Sequence, residues 1–392
     1  MTSTATLRRP APPADPRLSE LDLLDVSRLA EAVDAVVGPD LPVQRVRVEY
    51  LEYVPRSSLT VQLTAYVAGV ALQGVVRTGA AADRAARATG TPLPGRDALL
   101  HWLPADPELP LLAWPTTRLR RLLGDRPRTG ETPTVLAYVP GRRATLLLSP
   151  YVLKTYATAE DHANAVAGGL LLATGAALRT PRLLASLPGH RVTVQEQLEG
   201  VPAASAQDPL VVAERAGGLL RRLHDAHAVP AVRRDATDVV ADACAAVEVL
   251  GTVLPVERRR AESLLRRLGS TAPTLLPLVP SHGDFTLDQL LLTPSGDLVV
   301  TDVDEAGLAP EALDVATYAA NLVSGRPGDD DRAGEALDAL VAAHGEPPAL
   351  RWFLAVALLR RCDRPFRRLK KDWPAKCAAV LDLAEKVTTS CA

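Results

Sequence analysis

The sequence predicts a two-lobed α+β protein, with a small β-rich front part and a larger helical back part. Two stretches, which begin near Val43 and near residue 131, contain short runs that alternate apolar and polar residues, as strands do. After Tyr156 the apolar residues recur mainly every three or four positions, as they do in helices. A strand-like island at residues 280–302 interrupts the helical part and carries a dense set of polar candidates.

The composition excludes several broad classes of protein. Hydrophobic residues make up 47% and charged residues 23% of the 392 residues, which excludes a largely disordered chain. The formal net charge of -2 provides no basic field for a nucleic acid. Aromatic residues make up only 4%, too few for a base-stacking platform. We therefore expect no nucleic-acid partner.

The cysteines and the apolar runs indicate the cellular compartment in which we expect the protein. The cysteines are scattered, without a CxxC pair or a zinc-ligand spacing, and they are Cys244, Cys362, Cys377 and Cys391. They predict neither a zinc site nor a disulfide framework. The start of the chain has no apolar stretch of the secretory kind, and no run of 18 apolar residues suggests a membrane span. These features predict a cytoplasmic protein without a membrane partner.

Residues 19–130 are predicted to form an α+β cap subdomain, preceded by a flexible Pro-rich tail at residues 1–18. Within the cap, residues 19–37 have helical spacing, with Ser19 and Asp22 as the N-terminal cap. The runs VRVEYLEYVP, SSLTVQLTAYV and VALQGVVRT then predict a three-stranded antiparallel unit. The Pro-punctuated segment HWLPADPELPLL is predicted to be a connector.

A second strand unit, formed by TVLAYVP, ATLLL and YVLKTY, echoes the first. The tripeptide YVP recurs at residues 53–55 and 138–140, and two later Tyr-Val pairs match at the same offset. In that alignment Lys154 falls opposite Gly69. A shared hairpin geometry explains the echo, and an internal duplication is the alternative.

The polar island reads SHGDFTLDQLLL and then TPSGDLVVTDVDEAG. Phosphoryl transfer needs in-line positioning and cations that neutralise the developing charge, with little covalent help from the protein. Asp284 is predicted to accept the proton of an acceptor hydroxyl, and Gln289 to offer its side-chain amide to Mg²⁺. The turn at residues 294–297 folds the chain back, so Asp302 is predicted as the metal-binding carboxylate. His282 is predicted to fix the loop through backbone hydrogen bonds.

The run HGDFTLDQ, followed by VVTDVDEAGLAPEALDVATYAANL, resembles the HGDxxxxN and IDFD motifs of the aminoglycoside phosphotransferase and choline kinase superfamily. The resemblance covers about residues 131–392 and implies a bilobal protein-kinase-like fold. It implies a nucleotide-binding N-lobe with its hinge at residues 131–200 and a helical C-lobe with the catalytic loop at residues 201–392. It further implies ATP as co-substrate, Mg²⁺ as cofactor, and Asp314 as the anchor of the catalytic loop.

The resemblance also implies which residues bind the nucleotide. Lys154 corresponds to the strand lysine that reaches the α- and β-phosphates, and the turn with Gly141 and Arg142 corresponds to the phosphate loop. Glu196 and Leu198 lie in the segment that resembles the interlobe hinge, whose backbone binds adenine.

Two assignments stay open at this point: the acid that pairs with Lys154, and the cation that binds the phosphates. An acid on the helix after Lys154 should pair with that lysine, and Glu160 and Asp161 are the candidates. Arg77, at the end of the first strand unit, is the rival to Lys154 as the phosphate-binding cation.

Gln289 departs from the family pattern, which usually has Asn at this position. Bacterial maltokinases carry Gln in a similar loop, so the resemblance favours a sugar, an aminoglycoside-like compound or another small metabolite as the acceptor. A kinase acting on Ser or Thr of a peptide or natural-product precursor is the second hypothesis. A pseudokinase that binds nucleotide without transfer is the third, because the added methylene of Gln re-aims the metal ligand.

Overall fold

The computed structural model describes residues 13, 15–79, 89–124, 131–175, 178–205, 208–227, 232–325 and 330–389. The helices are α1 (Val26–Val37), α2 (Thr116–Leu122), α3 (Ala159–Gly175), α4 (Pro209–His224), α5 (Ala236–Ala241), α6 (Ala243–Val253), α7 (Arg258–Ser270), α8 (Ala312–Gly325), α9 (Asp330–His344), α10 (Leu350–Leu359), α11 (Arg364–Arg367) and α12 (Trp373–Thr389). None of the helices in the described ranges is long and apolar enough to cross a membrane.

The strands follow the same order along the chain. They are β1 (Val43–Val54), β2 (Ser58–Val67), β3 (Val70–Gly79), β4 (Thr91–Pro92), β5 (Ala98–Trp102), β6 (Thr134–Val139), β7 (Arg143–Leu148), β8 (Tyr151–Tyr156), β9 (Leu183–Leu187), β10 (Val192–Glu196), β11 (Val201–Pro202), β12 (Leu278–Ser281), β13 (Leu290–Leu292), β14 (Leu298–Val300) and β15 (Gly307–Pro310).

The chain divides into two compact units. The first contains the described parts of Met1–Ala113 together with Ala245–Ser263 and Cys362–Asp382, and the second contains the described remainder. Two stretches of the predicted helical C-lobe therefore pack with the first unit, where the ring of Phe366 meets Tyr53 edge-on at 6.2 Å. The four-part division at residues 18, 130 and 200 stays a prediction.

The first unit is built on a five-stranded antiparallel sheet with the order β1-β2-β3-β5-β4, against which α1 packs through β1. The strand β2 lies in the interior of this sheet, and its alternation buries one face, since Leu59, Val61 and Leu63 are all fully buried. The sheet has five strands and not the predicted three, because the short strands β4 and β5 also belong to it. Residues 98–101 of β5 are buried, and the end of this strand overlaps the start of the predicted connector.

The N-terminal cap of the first helix also differs from the prediction. Ser19–Leu24 form a short 3-10 helix, and the α-helical turns begin only at Val26. The side chain of Asp25 accepts a hydrogen bond from the backbone N–H of Ser27, so it satisfies an otherwise free donor of the first turn. The predicted cap of Ser19 and Asp22 was therefore wrong.

The second unit has a small sheet in front of a helical part, as the sequence predicted. The sheet is antiparallel with the order β6-β7-β8-β10-β9, and α3 packs against β8, β9 and β10. In the helical part, α4 packs along α9, and α8 packs along α10. Two small antiparallel sheets, β11-β13-β14 and β12-β15, contain the strands of the polar island, which follows α4 and precedes α8 along the chain. The observed architecture is thus the predicted α+β arrangement.

Candidate active site

The loop that follows β12 is held by one buried carboxylate, that of Asp314 in the first turn of α8. Its Oδ2 accepts hydrogen bonds from the Ser281 hydroxyl at 2.9 Å and the His282 backbone N–H at 2.8 Å. Its Oδ1 accepts one from the Gly283 N–H at 2.9 Å. Three donors on consecutive residues fix the path of the loop, so the predicted anchoring role of Asp314 is confirmed.

The charge of Asp314 is maintained in an interior position. Burial works to raise the pKa of this carboxyl, but hydrogen bonds from His224 and His282 hold it below its ordinary value. His224 lies 3.3 Å from Asp314 through Nε2, a contact to which the sequence gave no role. His282 Nε2 lies 2.9 Å from the Thr301 carbonyl oxygen, so its predicted loop-fixing role is confirmed.

The loop has no room for a side chain at Gly283. Its φ is +84°, and an added Cβ would lie 2.3 Å from the Glu305 carbonyl oxygen. The glycine lets the loop lie directly against the backbone that follows Asp302.

Asp284 is the next residue, and its carboxylate is left available. No side chain or backbone group of the described residues donates a hydrogen bond to it. Burial raises the pKa of Asp284, and the charge of Glu305 adds to the effect, against smaller opposing influences of His282 first and then of Arg360 and Arg361. A half-buried carboxylate without a donor and with a raised pKa has the properties of a proton acceptor.

Asp302 lies at the centre of a cluster of charges. Lys154 Nζ donates to its Oδ1 at 2.7 Å, and Arg143 and Gln289 each donate to its Oδ2 at 3.2 Å. Burial works to raise the pKa of Asp302, but Lys154 and Arg143 hold it far below the ordinary value. The structure therefore brings together the predicted Lys154, Gln289 and Asp302.

A second acid, Asp304, shares the same cations. Lys154 Nζ lies 3.0 Å from its Oδ1, Arg143 lies 3.1 Å from its Oδ2, and the Tyr156 hydroxyl donates at 3.2 Å. Its side chain is only 8% exposed, which excludes a purely solvated carboxylate. The sequence signal was its position two residues after Asp302, and the left-handed backbone of Asp302 and the 3-10 turn Val303–Glu305 bring both carboxylates to the same cations.

The predicted helix acid was wrong. Glu160 and Asp161 are both exposed, and Asp161 accepts a hydrogen bond from the Thr158 hydroxyl at 2.7 Å at the start of α3. The acids that pair with Lys154 are instead Asp302 and Asp304, which lie just after the end of β14.

The helix α3 reaches these acids through a glycine. An added Cβ at Gly168 would lie 2.2 Å from the carbonyl oxygen of Val303, the residue between the two acids. The helix backbone therefore lies against the short 3-10 turn Val303–Glu305.

The remaining predicted residues lie in the turn and hinge segments. Gly141 has a φ of +66° in the β6–β7 turn, and Arg142 is exposed there. The neighbouring Arg143, the last residue of the turn predicted as the phosphate loop, is the one that reaches the acids, a contact that the sequence did not predict. Glu196 Oε1 accepts from the Arg182 backbone N–H at 3.0 Å, and Leu198 is half-buried after β10. The nucleotide-binding roles of these residues stay predictions.

The donor set fits the metal that the sequence implied. Two carboxylates and the side-chain amide of Gln289 supply the hard oxygen ligands that Mg²⁺ prefers. Asp302 and Asp304 carry two negative charges, and Lys154 and Arg143 already balance them. A divalent cation would therefore compete with these side chains for the carboxylate oxygens.

Comparisons with known proteins agree with this arrangement. A family model described as "Phosphotransferase enzyme family" matches residues 141–353, more than half of the chain. No curated protein matches the sequence significantly.

Solved structures with the same fold share little sequence. A choline/ethanolamine kinase family protein from Mesorhizobium loti has 18% identity and a TM-score of 0.50, over 69% of this chain and 94% of its own. A spectinomycin phosphotransferase solved with ADP and spectinomycin has 13% identity and a TM-score of 0.51, over 70% and 99%. An aminoglycoside phosphotransferase solved with GDP and kanamycin has 14% identity and a TM-score of 0.50, over 69% and 98%. These likenesses establish the protein-kinase-like fold of the matched part.

Proposed function

Because the chain belongs to the phosphotransferase enzyme family, whose members transfer phosphate to an alcohol group, we propose that it moves the γ-phosphoryl group of ATP to a small-molecule hydroxyl in a Mg²⁺-dependent reaction. The observation that carries the proposal is the unengaged carboxylate of Asp284, on a loop that Asp314 fixes by three hydrogen bonds. The acceptor class that we propose is a sugar, an aminoglycoside-like compound or another small metabolite.

In this proposal Asp284 removes the proton of the acceptor hydroxyl. Its carboxylate takes the hydroxyl proton as the acceptor oxygen forms its bond to the γ-phosphorus. The bond between that phosphorus and the bridging oxygen of ADP breaks in the same displacement, and ADP leaves with the electron pair. The raised pKa of Asp284 increases its basicity, which favours this transfer.

The charged cluster has the task of holding the triphosphate. Lys154 is placed by its two acids, Asp302 and Asp304, and we propose that it releases part of this pairing to bind the phosphates. Gln289 and Asp302 are the proposed Mg²⁺ ligands, with Asp304 beside them. Bound Mg²⁺ supplies positive charge that neutralises the phosphoryl oxygens.

The turn and the hinge are proposed to complete the nucleotide site. Gly141 and Arg142 lie in the β6–β7 turn, one residue from Arg143, which already points at the acids. We propose that the backbone at Glu196 and Leu198 binds the adenine base. Among the described residues nothing accepts a hydrogen bond from the N–H of Leu198, so this donor is available to a ligand.

The first test compares Asp284→Asn with Asp288→Asn, an exposed carboxylate on the same loop. Removal of a positioned proton acceptor costs roughly 10²- to 10⁴-fold in turnover, so Asp284→Asn should lose that much. Asp288→Asn should keep the activity of the unchanged protein. Phosphate transfer to a panel of sugars and aminoglycosides, with ATP and Mg²⁺, measures both.

Nucleotide binding is measured separately by thermal shift with ATP alone, Mg²⁺ alone and both. A ligand that binds only the folded state raises the melting temperature, so we expect a rise that needs both. Asp284→Asn should keep this rise. Full turnover in that variant would overturn the mechanism, and no shift at millimolar Mg-ATP would favour a protein that does not transfer phosphate.

A further inference from the structure

Three metal-ligating side chains meet behind the catalytic loop. His224 is the last residue of α4, His344 is the last residue of α9, and Glu311 directly precedes α8. One nitrogen of each imidazole and one carboxylate oxygen all lie within 4.8 Å of one another. The two histidines are buried and Glu311 is half-buried, so the cluster has one side near solvent.

The outward nitrogens of both imidazoles already have acceptors. His224 Nε2 lies 3.3 Å from the Asp314 carboxylate, and His344 Nδ1 lies 2.8 Å from the carbonyl oxygen of Gly345. Because both of these partners can only accept, the ring protons belong on these two nitrogens. The other nitrogen of each neutral ring is then a lone pair.

These two lone pairs face each other. His224 Nδ1 lies 2.9 Å from His344 Nε2, and the Glu311 carboxylate lies 3.6 Å from the same His344 nitrogen. Two acceptors at hydrogen-bond distance repel unless a cation or a proton lies between them. A tetrahedral zinc ion with ligand bonds of about 2.0–2.1 Å separates its ligand atoms by about 3.3 Å. The observed spacings lie on either side of that value.

We propose that His224, His344 and Glu311 form a binding site for Zn²⁺ that is separate from the catalytic Mg²⁺ site. Two imidazoles and one carboxylate are a ligand set that zinc takes in proteins, whereas Mg²⁺ prefers oxygen ligands to imidazole nitrogen. Each histidine has the outer partner that zinc-bound histidines have, a carboxylate for one and a backbone carbonyl for the other. A water molecule from the Glu311 side completes the four-coordinate ion.

The surrounding charge favours a cation at this place. Both histidines lie at the C-terminal ends of their helices, where the helix dipole is negative. Asp314 is a buried anion that forms no ion pair with a Lys or Arg in the described part of the chain. The basic side chain beside it is His224. A metal ion on the far nitrogen of His224 polarises the ring and strengthens its hydrogen bond to Asp314.

The site would therefore connect a metal ion to the catalytic loop. The path runs from the ion through His224 to Asp314, and from Asp314 to the backbone of His282 and Gly283. In this arrangement His224 is a positioning residue, since it touches neither acceptor nor nucleotide. The sequence around His224 did not signal such a site, because His344 lies 120 residues further along the chain.

The test uses the full chain, treated with a chelator and dialysed, with excess Mg²⁺ present to occupy oxygen-only sites. Zn²⁺ is titrated in by calorimetry, and the melting temperature is followed in parallel. We expect one equivalent of Zn²⁺ per chain and a rise in melting temperature, since the ligands converge only in the folded state. Substitution with Co²⁺ should give the visible absorption of a tetrahedral site with nitrogen ligands.

Three variants locate the ion. His344→Asn should abolish the stoichiometric binding, and Glu311→Gln should weaken it at least about tenfold. His227→Asn removes an exposed histidine three residues from His224 and should bind as the unchanged chain does. If His344→Asn does not fold, Glu311→Gln and the Co²⁺ spectrum of the unchanged chain decide the question.

Two results would overturn the proposal. One is equal Zn²⁺ affinity in the unchanged chain and in Glu311→Gln and His344→Asn. The other is no Zn²⁺ binding at all, which would mean that the two imidazoles are joined by a shared proton only. Neither result depends on phosphate transfer, so this test is independent of the proposed function.

Discussion

The two five-stranded sheets of this protein have the same strand order but hold their central cations differently. In both, the third strand lies between the second and the fifth, and the fourth strand is at the edge. The register of the first hairpin is also the same, since Tyr53 pairs with Leu59 in one sheet and Tyr138 pairs with Ala144 in the other. The YVP tripeptides that the sequence showed therefore occupy equivalent positions.

The third strands show where the two sheets diverge. Thr60 pairs with Arg77 in the first sheet, and the equivalent Thr145 pairs with Lys154 in the second. Lys154 therefore corresponds to Arg77 and not to Gly69, so the sequence alignment was wrong at this point. The reason is strand length, because β2 has ten residues and β7 has six, so the second hairpin turns earlier.

The two cations differ in which carboxylates they meet. Arg77 pairs with Asp106 at 3.0 Å and Glu108 at 3.2 Å, both from the segment just after its own sheet. Lys154 pairs with Asp302 and Asp304, which follow the catalytic loop by fewer than twenty-five residues. At the same sheet position, Arg77 forms ion pairs within the first unit, and Lys154 faces the candidate catalytic acids of the second. The partners, and not the sheet, distinguish the two.

The largest expected difference comes from removing each cation in turn. Lys154→Met should lower turnover by roughly 10²- to 10³-fold, as the loss of a preorganised electrostatic partner of the transition state does. Arg77→Met should leave turnover nearly unchanged. It should instead lower the free energy of unfolding by up to about 3–5 kcal/mol, because it removes the Arg77 side of an ion pair with the buried Asp106.

Kinetics with saturating Mg-ATP and urea unfolding measure these two effects. An equal loss of turnover in both variants would contradict the distinction between the sheets. A Lys154→Met protein with full turnover would remove Lys154 from the proposed phosphate site.

The next effect concerns the helix that packs behind Lys154. Gly168→Ala places a methyl group against the Val303 carbonyl, and we expect a loss of about 1–3 kcal/mol in the free energy of unfolding. Turnover should fall as well, because Val303 connects Asp302 to Asp304. Gly169→Ala is the matched control, since its Cβ would meet only the Val303 side chain at 3.8 Å.

Thermal unfolding and turnover of the two variants give the comparison. Gly169→Ala should be neutral or slightly stabilising, because alanine favours the helix by roughly 0.5–1 kcal/mol. A Gly168→Ala protein as stable and active as this control would show that α3 can withdraw from the acids at no cost.

The smallest expected effect is on pH dependence. Burial and the Glu305 charge raise the pKa of Asp284, and only the ionised carboxylate accepts a proton. The value of kcat/KM should therefore fall as the pH decreases through this raised pKa. Glu305→Gln removes one cause of the rise, so the acidic limb should move to lower pH.

The pH profile of kcat/KM from pH 4 to pH 8 tests this shift, and Asp288→Asn serves as the control that should not move the limb. Stability is little affected, since the Glu305 ion pair with Arg234 is partly exposed and spans 3.8 Å. A limb that moves to higher pH in Glu305→Gln would contradict the assignment to Asp284.

The anchoring of the HGD loop by Asp314 was predictable from sequence because the residues involved lie close together along the chain. HGDFTLDQ and the later Asp314 lie within about thirty residues, and a turn between them fixes their approach. The α+β architecture was predictable for a similar reason, since strand and helix periodicities are local patterns. The strand β5 was missed because it has only five residues, between proline-containing segments on both sides.

The ion pairs were not predictable because they join distant segments. Arg143 and Asp304 are 161 residues apart, and His224 and His344 are 120 apart, so no spacing rule connects them. The acid partner of Lys154 was assigned wrongly for this reason. The predicted positions, Glu160 and Asp161, are exposed at the start of α3, and the acids that pair with Lys154 follow β14.

The backbone of Asp302 restricts what this site can become. Its φ of +56° and ψ of +56° are left-handed, a conformation that Asp and Asn tolerate better than longer side chains. A change to Glu would keep the charge but strain the chain, and a change to Gly would relax the chain but remove the carboxylate. The extra methylene of Gln289 therefore has no compensating change available at residue 302. Any redesign of the proposed Mg²⁺ site has Gln289, and not Asp302, as the residue to vary.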